Sequence, residues 1–178
     1  MGRIKARKVL QATFSEEGLR SLAKQIHDYR TDIESANDRF VRRLAEEGFD
    51  IAQMSIQSTD HYDKDKPIGT LDIVTDQTGK VSSCRLVFSG EQVLFVEFGA
   101  GFYYNKKENP WSANYGYGVG TYPGQTHAND PEGWSYRGND DKWHHTKGTE
   151  ATMPMFNADM SIIEKFVEIA KEVYQGVI

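Results

Sequence analysis

Three histidines, His127, His144 and His145, lie close in sequence to Asp130, Asp140 and Asp141. Imidazole and carboxylate together are the ligand types of a zinc-like centre. The spacing argues against one. Adjacent His144 and His145 in an extended chain point to opposite sides, and neither HExxH nor another recognised ligand spacing is present. These side chains are expected to be hydrogen-bonded or solvent-facing, with no metal. A serine hydrolase would carry a nucleophile elbow of the GxSxG type, and none occurs. Gly116-Tyr117-Gly118-Val119-Gly120 is glycine-rich, but it does not join a strand to a helix as a dinucleotide loop must. Cys84 sits in an apolar stretch without a neighbouring histidine, which reads as a buried structural thiol. No catalytic residue and no cofactor site is expected.

These candidates share one setting, the segment from Gly99 to Glu150. It holds all three tryptophans, six of the nine tyrosines and nine of the sixteen glycines, and it follows neither the helical nor the strand period. Loops longer than about 12 to 15 residues are mostly functional or disordered, and disordered chains are poor in aromatic rings. The segment therefore reads either as a recognition surface or as an insertion folded back to make a satellite core.

The elements around it define an α+β chain. Ser15 is a candidate N-cap with Glu16 and Glu17 behind it. Leu19, Leu22, Ala23 and Ile26, then Ile33, Phe40, Val41, Leu44, Ala45, Ile51 and Ala52, trace a helical face to about Ser58. One long helix or two with a break near Thr31 both fit. Asp60 to Lys66, ending at Pro67, reads as a loop. Three strands are expected, at Ile68 to Thr75, Val81 to Phe88 and Gln92 to Phe98, with short turns implying an antiparallel sheet of three to four strands. Met153-Pro154-Met155-Phe156 reads as an extended lead-in to an amphipathic helix from about Ala158 to Tyr174. Its stripe is Ile162, Ile163, Phe166, Val167, Ala170, Val173 and Tyr174. Helices packed on an antiparallel sheet make a layered α+β domain.

Composition narrows the function. Residues 1–178 suit a single domain, comprising a basic tail at 1–14 (Arg3, Lys5, Arg7, Lys8), the folded elements, and the 99–150 insertion. Twenty-one basic against twenty-six acidic residues give a net charge of −5, which argues against general nucleic-acid or membrane-surface binding. Neither a signal peptide nor a membrane span is recognisable. A single cysteine suits a reducing cytoplasm, and the chain is expected to be soluble.

Glu97 stands between Val96 and Phe98 in an otherwise apolar run and is followed by Gly99. On an alternating strand it would point away from both neighbours, towards an intrachain base, solvent or another subunit. Phe95-Val96-Glu97-Phe98-Gly99 forms one block. Gly120-Thr121-Tyr122-Pro123-Gly124 with Pro131-Glu132-Gly133-Trp134-Ser135-Tyr136 forms a second. Trp143, Thr146-Lys147-Gly148 and Ala151 through Phe156 before the closing helix form a third. Their order and spacing over about residues 35 to 175 resemble the tail-completion, or head–tail joining, proteins of long-tailed phages and prophages. Ala100 stands where that family most often has threonine, and Met153 where an arginine commonly precedes the proline.

The resemblance implies a structural protein of the virion neck, made in the host cytoplasm and assembled as a ring, hexameric by family likeness. The implied partners are further copies of the chain, a head-side connector or stopper protein, and a tail terminator or tail tube protein. Viral DNA would pass through without specific binding, and no membrane is involved. Closed rings use heterologous contacts. The residues expected to make contacts are Glu97, Phe98 and Gly99, the aromatics Trp111, Tyr117, Tyr122, Trp134 and Trp143, and Met153, Pro154, Met155 and Phe156. Removal of Gly101 to Trp143 would then leave a folded domain unable to join. The rival reading is a small hydrolase or carbohydrate-binding protein using the aromatic segment as its cleft.

Overall fold

The computed structural model describes residues 9–59, 68–76, 82–138 and 140–177. The basic cluster Arg3 to Lys8, the Asp60 to Lys66 loop with Pro67, and most of the first hairpin turn lie outside them. The chain opens with α1, Glu16–Gln57, a single unbroken helix of 42 residues and about 63 Å. The Ser15 hydroxyl accepts from the Gly18 N–H at 3.1 Å, and Glu16 and Glu17 occupy the positive end of the helix dipole. Thr31 does not interrupt it. Its hydroxyl hydrogen-bonds back to the His27 carbonyl.

An antiparallel hairpin follows, β1 (Thr70–Asp76) and β2 (Ser83–Ser89), in the register Leu71↔Phe88, Ile73↔Leu86 and Thr75↔Cys84. These six side chains share one face and all but Thr75 are half-buried. Both strands contact α1. Cys84 is thus half-buried rather than fully enclosed.

The expected third strand is a helix. Val93–Phe98 forms α2, with the Val96 N–H on the Gln92 carbonyl and the Gly99 N–H on the Phe95 carbonyl. Val96, Glu97 and Phe98 are buried in succession, which a two-sided strand could achieve only between two layers. A short apolar run is ambiguous by period alone, and here tertiary packing on every side decided. The sheet of three to four strands is therefore a two-stranded hairpin plus a second hairpin further on, and the α+β class holds.

The final helix α3, Pro154–Tyr174, starts four residues earlier than its apolar period suggests. Met153–Phe156 is thus not an extended lead-in: Pro154 sits at the first helical position, where its missing N–H costs nothing. α3 lies antiparallel on the C-terminal half of α1, from Asn157 beside Ser55 to Tyr174 beside Asn37. Phe40 meets Phe166 edge-on and Tyr174 at a tilt, at centroid distances of 5.1 and 5.7 Å. Gly48 permits the approach, since a Cβ there would come within 2.7 Å of Ile162 Cδ1. The expected stripe of α3 is wider than the face α1 covers. Ala158 and Ile169 are buried, but Ile163, Phe166 and Val167 remain exposed. No helix among the described residues is long and apolar enough to cross a membrane.

Candidate assembly interface

The N-terminus of α3 has an unmet need. Its N-cap residue, Met153, has left-handed φ and ψ of 53° and 51° and no side-chain acceptor to offer, while the first N–H groups of a helix require partners. Glu97 supplies them from α2. Its Oε2 accepts from the Met155 N–H at 2.8 Å and its Oε1 from the Phe156 N–H at 3.1 Å. The Val96 carbonyl accepts from the Thr152 and Met153 N–H groups. Glu97 is thus a cap from a distant element, 4% exposed. Its partners lie within the chain, but they are backbone amides and Asn109 and not the expected base.

Asn109 closes the other side. Its Nδ2 donates to the Glu97 carbonyl at 2.9 Å and to Oε1 at 2.8 Å. Its Oδ1 accepts from the Trp111 N–H at 2.9 Å, capping a short 3₁₀ helix, Pro110–Tyr115. Asn105, also fully buried, donates to the Phe98 carbonyl and accepts from the Lys107 N–H. Gly99 is required where it stands: at φ 76° a Cβ would fall 1.8 Å from Asn105 Nδ2. Among the described residues, Ser112 Oγ is the buried side-chain polar atom left without a partner.

The 99–150 segment is therefore no simple loop. It leaves α2 through the Ala100↔Thr149 bridge, and Gly101 and Phe102 bond to the Gly120 and Ala128 carbonyls. The rings pack around the exit. Phe98 meets Tyr115 and Tyr117 edge-on, Phe95 meets Tyr122 at 4.6 Å, and Trp111 meets Phe156 at 5.5 Å. A second antiparallel hairpin, β3 (Trp134–Arg137) and β4 (Trp143–Thr146), projects beyond this inner part.

The histidines lie on and beside that hairpin and are separately engaged. His127 stacks on Trp134. His144 stacks on Tyr136 and meets Asp140 at 2.8 Å. His145 reaches the Glu132 carbonyl at 2.8 Å. The pairing with His144 lowers the Asp140 pKa. Among the described residues no three His, Cys, Asp or Glu side chains gather as metal ligands would.

Of the twelve residues expected to make contacts, the structure brings ten together around Glu97 and the outer two, Trp134 and Trp143, onto the hairpin. Glu97, Phe98, Gly99 and Pro154 are buried within the chain. Trp111, Tyr117, Tyr122, Trp134, Met153, Met155 and Phe156 are half-buried. Trp143 alone is broadly exposed, at 73%. Sequence reasoning missed the rings that do face outward: Phe102, Tyr103, Tyr104, Tyr115 and Tyr136. It also missed Asn105 and Asn109. For Asn109 a signal existed, because asparagine directly before proline is an N-cap preceding an N1 proline.

Burial pushes the Glu97 carboxyl above the ordinary glutamate value, while the Met155 and Phe156 amides and Asn109 pull it back in part. The native chain thus holds this proton at a higher pH than the unfolded chain. The corresponding stabilisation is complete below the unfolded glutamate pKa and is lost as pH rises through the native value. Glutamine at 97 does not titrate. The stability gap between the parent and Glu97→Gln, read by urea unfolding, should widen on acidification from about pH 7 towards the unfolded pKa; a gap that narrows would contradict this account.

No protein-family model matches the chain, and no curated protein or solved structure matches it either.

Proposed function

We propose that this chain is a structural protein of a phage neck that joins head to tail through protein contacts in an oligomeric ring, and not by catalysis. The observation that carries the reading is the meeting of the three sequence blocks. Glu97 of the first receives the Met155 and Phe156 amides of the third, and Phe95 packs on Tyr122 of the second. Part of each block thus meets at a shared polar and aromatic node, and other parts of the second and third pair with each other as the β3–β4 hairpin. Around this node the chain presents exposed rings, with Trp143 and Tyr136 on the β3–β4 hairpin and Tyr115 on the 3₁₀ helix. Tyr136 and Trp143 face opposite sides of that hairpin, so each side offers an exposed ring, and exposed aromatic rings suit protein recognition.

The test is genetic. Phage lacking this gene should accumulate separate heads and tails in electron micrographs, and joined infectious particles from the null would overturn the proposal. Complementation with Trp143→Ala separates surface from core. The side chain is so exposed that stability should change by about 0.5 kcal/mol or less, while joined particles fall at least tenfold, on the order of the loss of one interface anchor.

A further inference from the structure

We propose that the outward face of α3 pairs with the same face of a second copy of this chain, the two helices running antiparallel about a twofold axis. α3 carries two apolar faces, where a helix lying on one neighbour needs one. The first comprises Ala158, Ile162 and Ile169. Ala158 and Ile169 are buried, and Ile162 Cδ1 lies 2.7 Å from where a Cβ at Gly48 of α1 would stand. About a third of a turn away, Met160, Ile163, Val167 and Ala170 recur at spacings of three and four. With Phe166 beside them they form a contiguous row, because residues three and four apart are neighbours on a helix. Met160 is 49% exposed, Ile163 61%, Phe166 49% and Val167 59%. The exposed part of these four side chains is on the order of 400 Å² per copy, the size at which a surface patch is often functional. The row is held rigid at both ends, since Glu97 caps the start of α3 and Tyr174 bonds Asn37 at its close. Pairing therefore adds little ordering cost.

The charges beside the row select the occupant and its direction. Glu164 and Lys171 are exposed and lie on the same edge of it, two turns apart. In the antiparallel register that sets Val167 against Ala170 of the second copy, Glu164 falls beside Lys171 of the second copy, and the twofold axis makes that pair twice. The small Ala170 side chain lets the two helices approach there. A parallel pairing in heptad register would instead set Asp159 against Glu164 of the second copy, like charges on both edges. The row is thus complementary to itself, in one direction only. With Ala170, Glu164 and Lys171 included, the two copies bury on the order of 1,000 Å² in total, the low end for a specific interface, which makes the dimer a weak one. Such a contact is isologous and closes at two copies. It is separate from the heterologous contacts of a ring, and the inference stands independently of the neck assignment.

Sedimentation equilibrium of the full chain tests this. The parent should pass from monomer to dimer with a Kd on the order of 10 μM at low salt. Val167→Asp, with helical content checked by circular dichroism, should weaken pairing about tenfold or more. Glu164→Lys changes only an exposed side chain, so the fold is kept. It turns two attractive pairs into two repulsive ones and should weaken pairing about fivefold or more. The double reversal Glu164→Lys/Lys171→Glu should bring the Kd back to within about twofold of the parent, because the two sites are coupled across the axis. A parent that stays monomeric up to about 100 μM would overturn the proposal. That is also the outcome if the row serves a different protein or is covered by another segment of this chain. Pairing that survives Val167→Asp in a folded chain would overturn it equally, and so would a double reversal that fails to rescue Glu164→Lys.

Discussion

Replacing Glu97 with alanine is expected to lower the unfolding free energy by about 3–5 kcal/mol. The change strands three donors at once: the Met155 and Phe156 N–H groups and the Asn109 amide that bonds Oε1. Each buried donor left without an acceptor costs about 1–3 kcal/mol, and neighbouring losses do not add fully. In a chain of this length that corresponds to a fall in melting temperature of roughly 10 °C. Glu97→Gln keeps one acceptor but turns an NH₂ towards a helical N–H, so its cost should be intermediate, about 2–3 kcal/mol. Asn109→Ala removes the bonds to Glu97 and the cap on Trp111, and should cost a similar amount. The double variant Glu97→Ala/Asn109→Ala should lose less than the sum of the singles, because they share a bond. Urea unfolding of the four proteins checks this. Additive losses, or a Glu97→Ala chain as stable as the parent, would show that α3 finds another cap.

The elements that could be read in advance were those whose signals are local. α1 announced itself by Ser15, two acids and a sustained period, and the β1–β2 hairpin by alternation around a polar turn. The segment Val93–Phe98 carried no such signal. Six apolar-rich residues fit either a strand or a helix, and the choice depended on α3 and the 99–150 segment closing around it. The start of α3 was hidden for a related reason. Met153 takes a left-handed conformation that asparagine or glycine would have advertised, and its cap comes from an acid 58 residues away from Met155. Glu97 itself was conspicuous as an acid in an apolar run. Its partners were not, because they are backbone amides and any side chain could have stood at 155 and 156.

That division between inner and outer parts bears on how the 99–150 segment works. Its first half is tied to the core by Asn105, Asn109, the Gly101–Gly120 bond and the rings around Phe98. It is a satellite core as well as a platform. The β3–β4 hairpin makes fewer such ties and carries Trp143 and Tyr136 outward. The satellite-core reading thus holds for the proximal part, on which the fold depends, while the contact surface proposed for joining is assigned to the distal part.

Two excisions should therefore behave oppositely. Trp134 and Thr146 lie opposite each other in the hairpin, so residues 135–145 can be removed and the ends bridged by a two-residue Asn-Gly turn. Trp134 keeps its stack on His127, and the Glu97 node is untouched. This chain should melt within a few degrees of the parent, by about the change expected of surface alterations, yet fail to restore joining, leaving heads and tails apart. Removing Gly101 to Trp143 instead takes away Asn105, Asn109, Trp111 and Tyr122. It should not leave the folded domain that composition alone suggests, because the Glu97 carboxylate loses Asn109 and the rings of α2 lose their cover, a deficit of about 5 kcal/mol or more in a protein whose whole stability is of that order. Melting curves and particle counts on the same two variants separate the roles. A hairpin-less chain that restores joined particles would remove the hairpin from the contact surface, and a stable chain lacking Gly101 to Trp143 would mean that α3 stands without the segment that holds its cap in place.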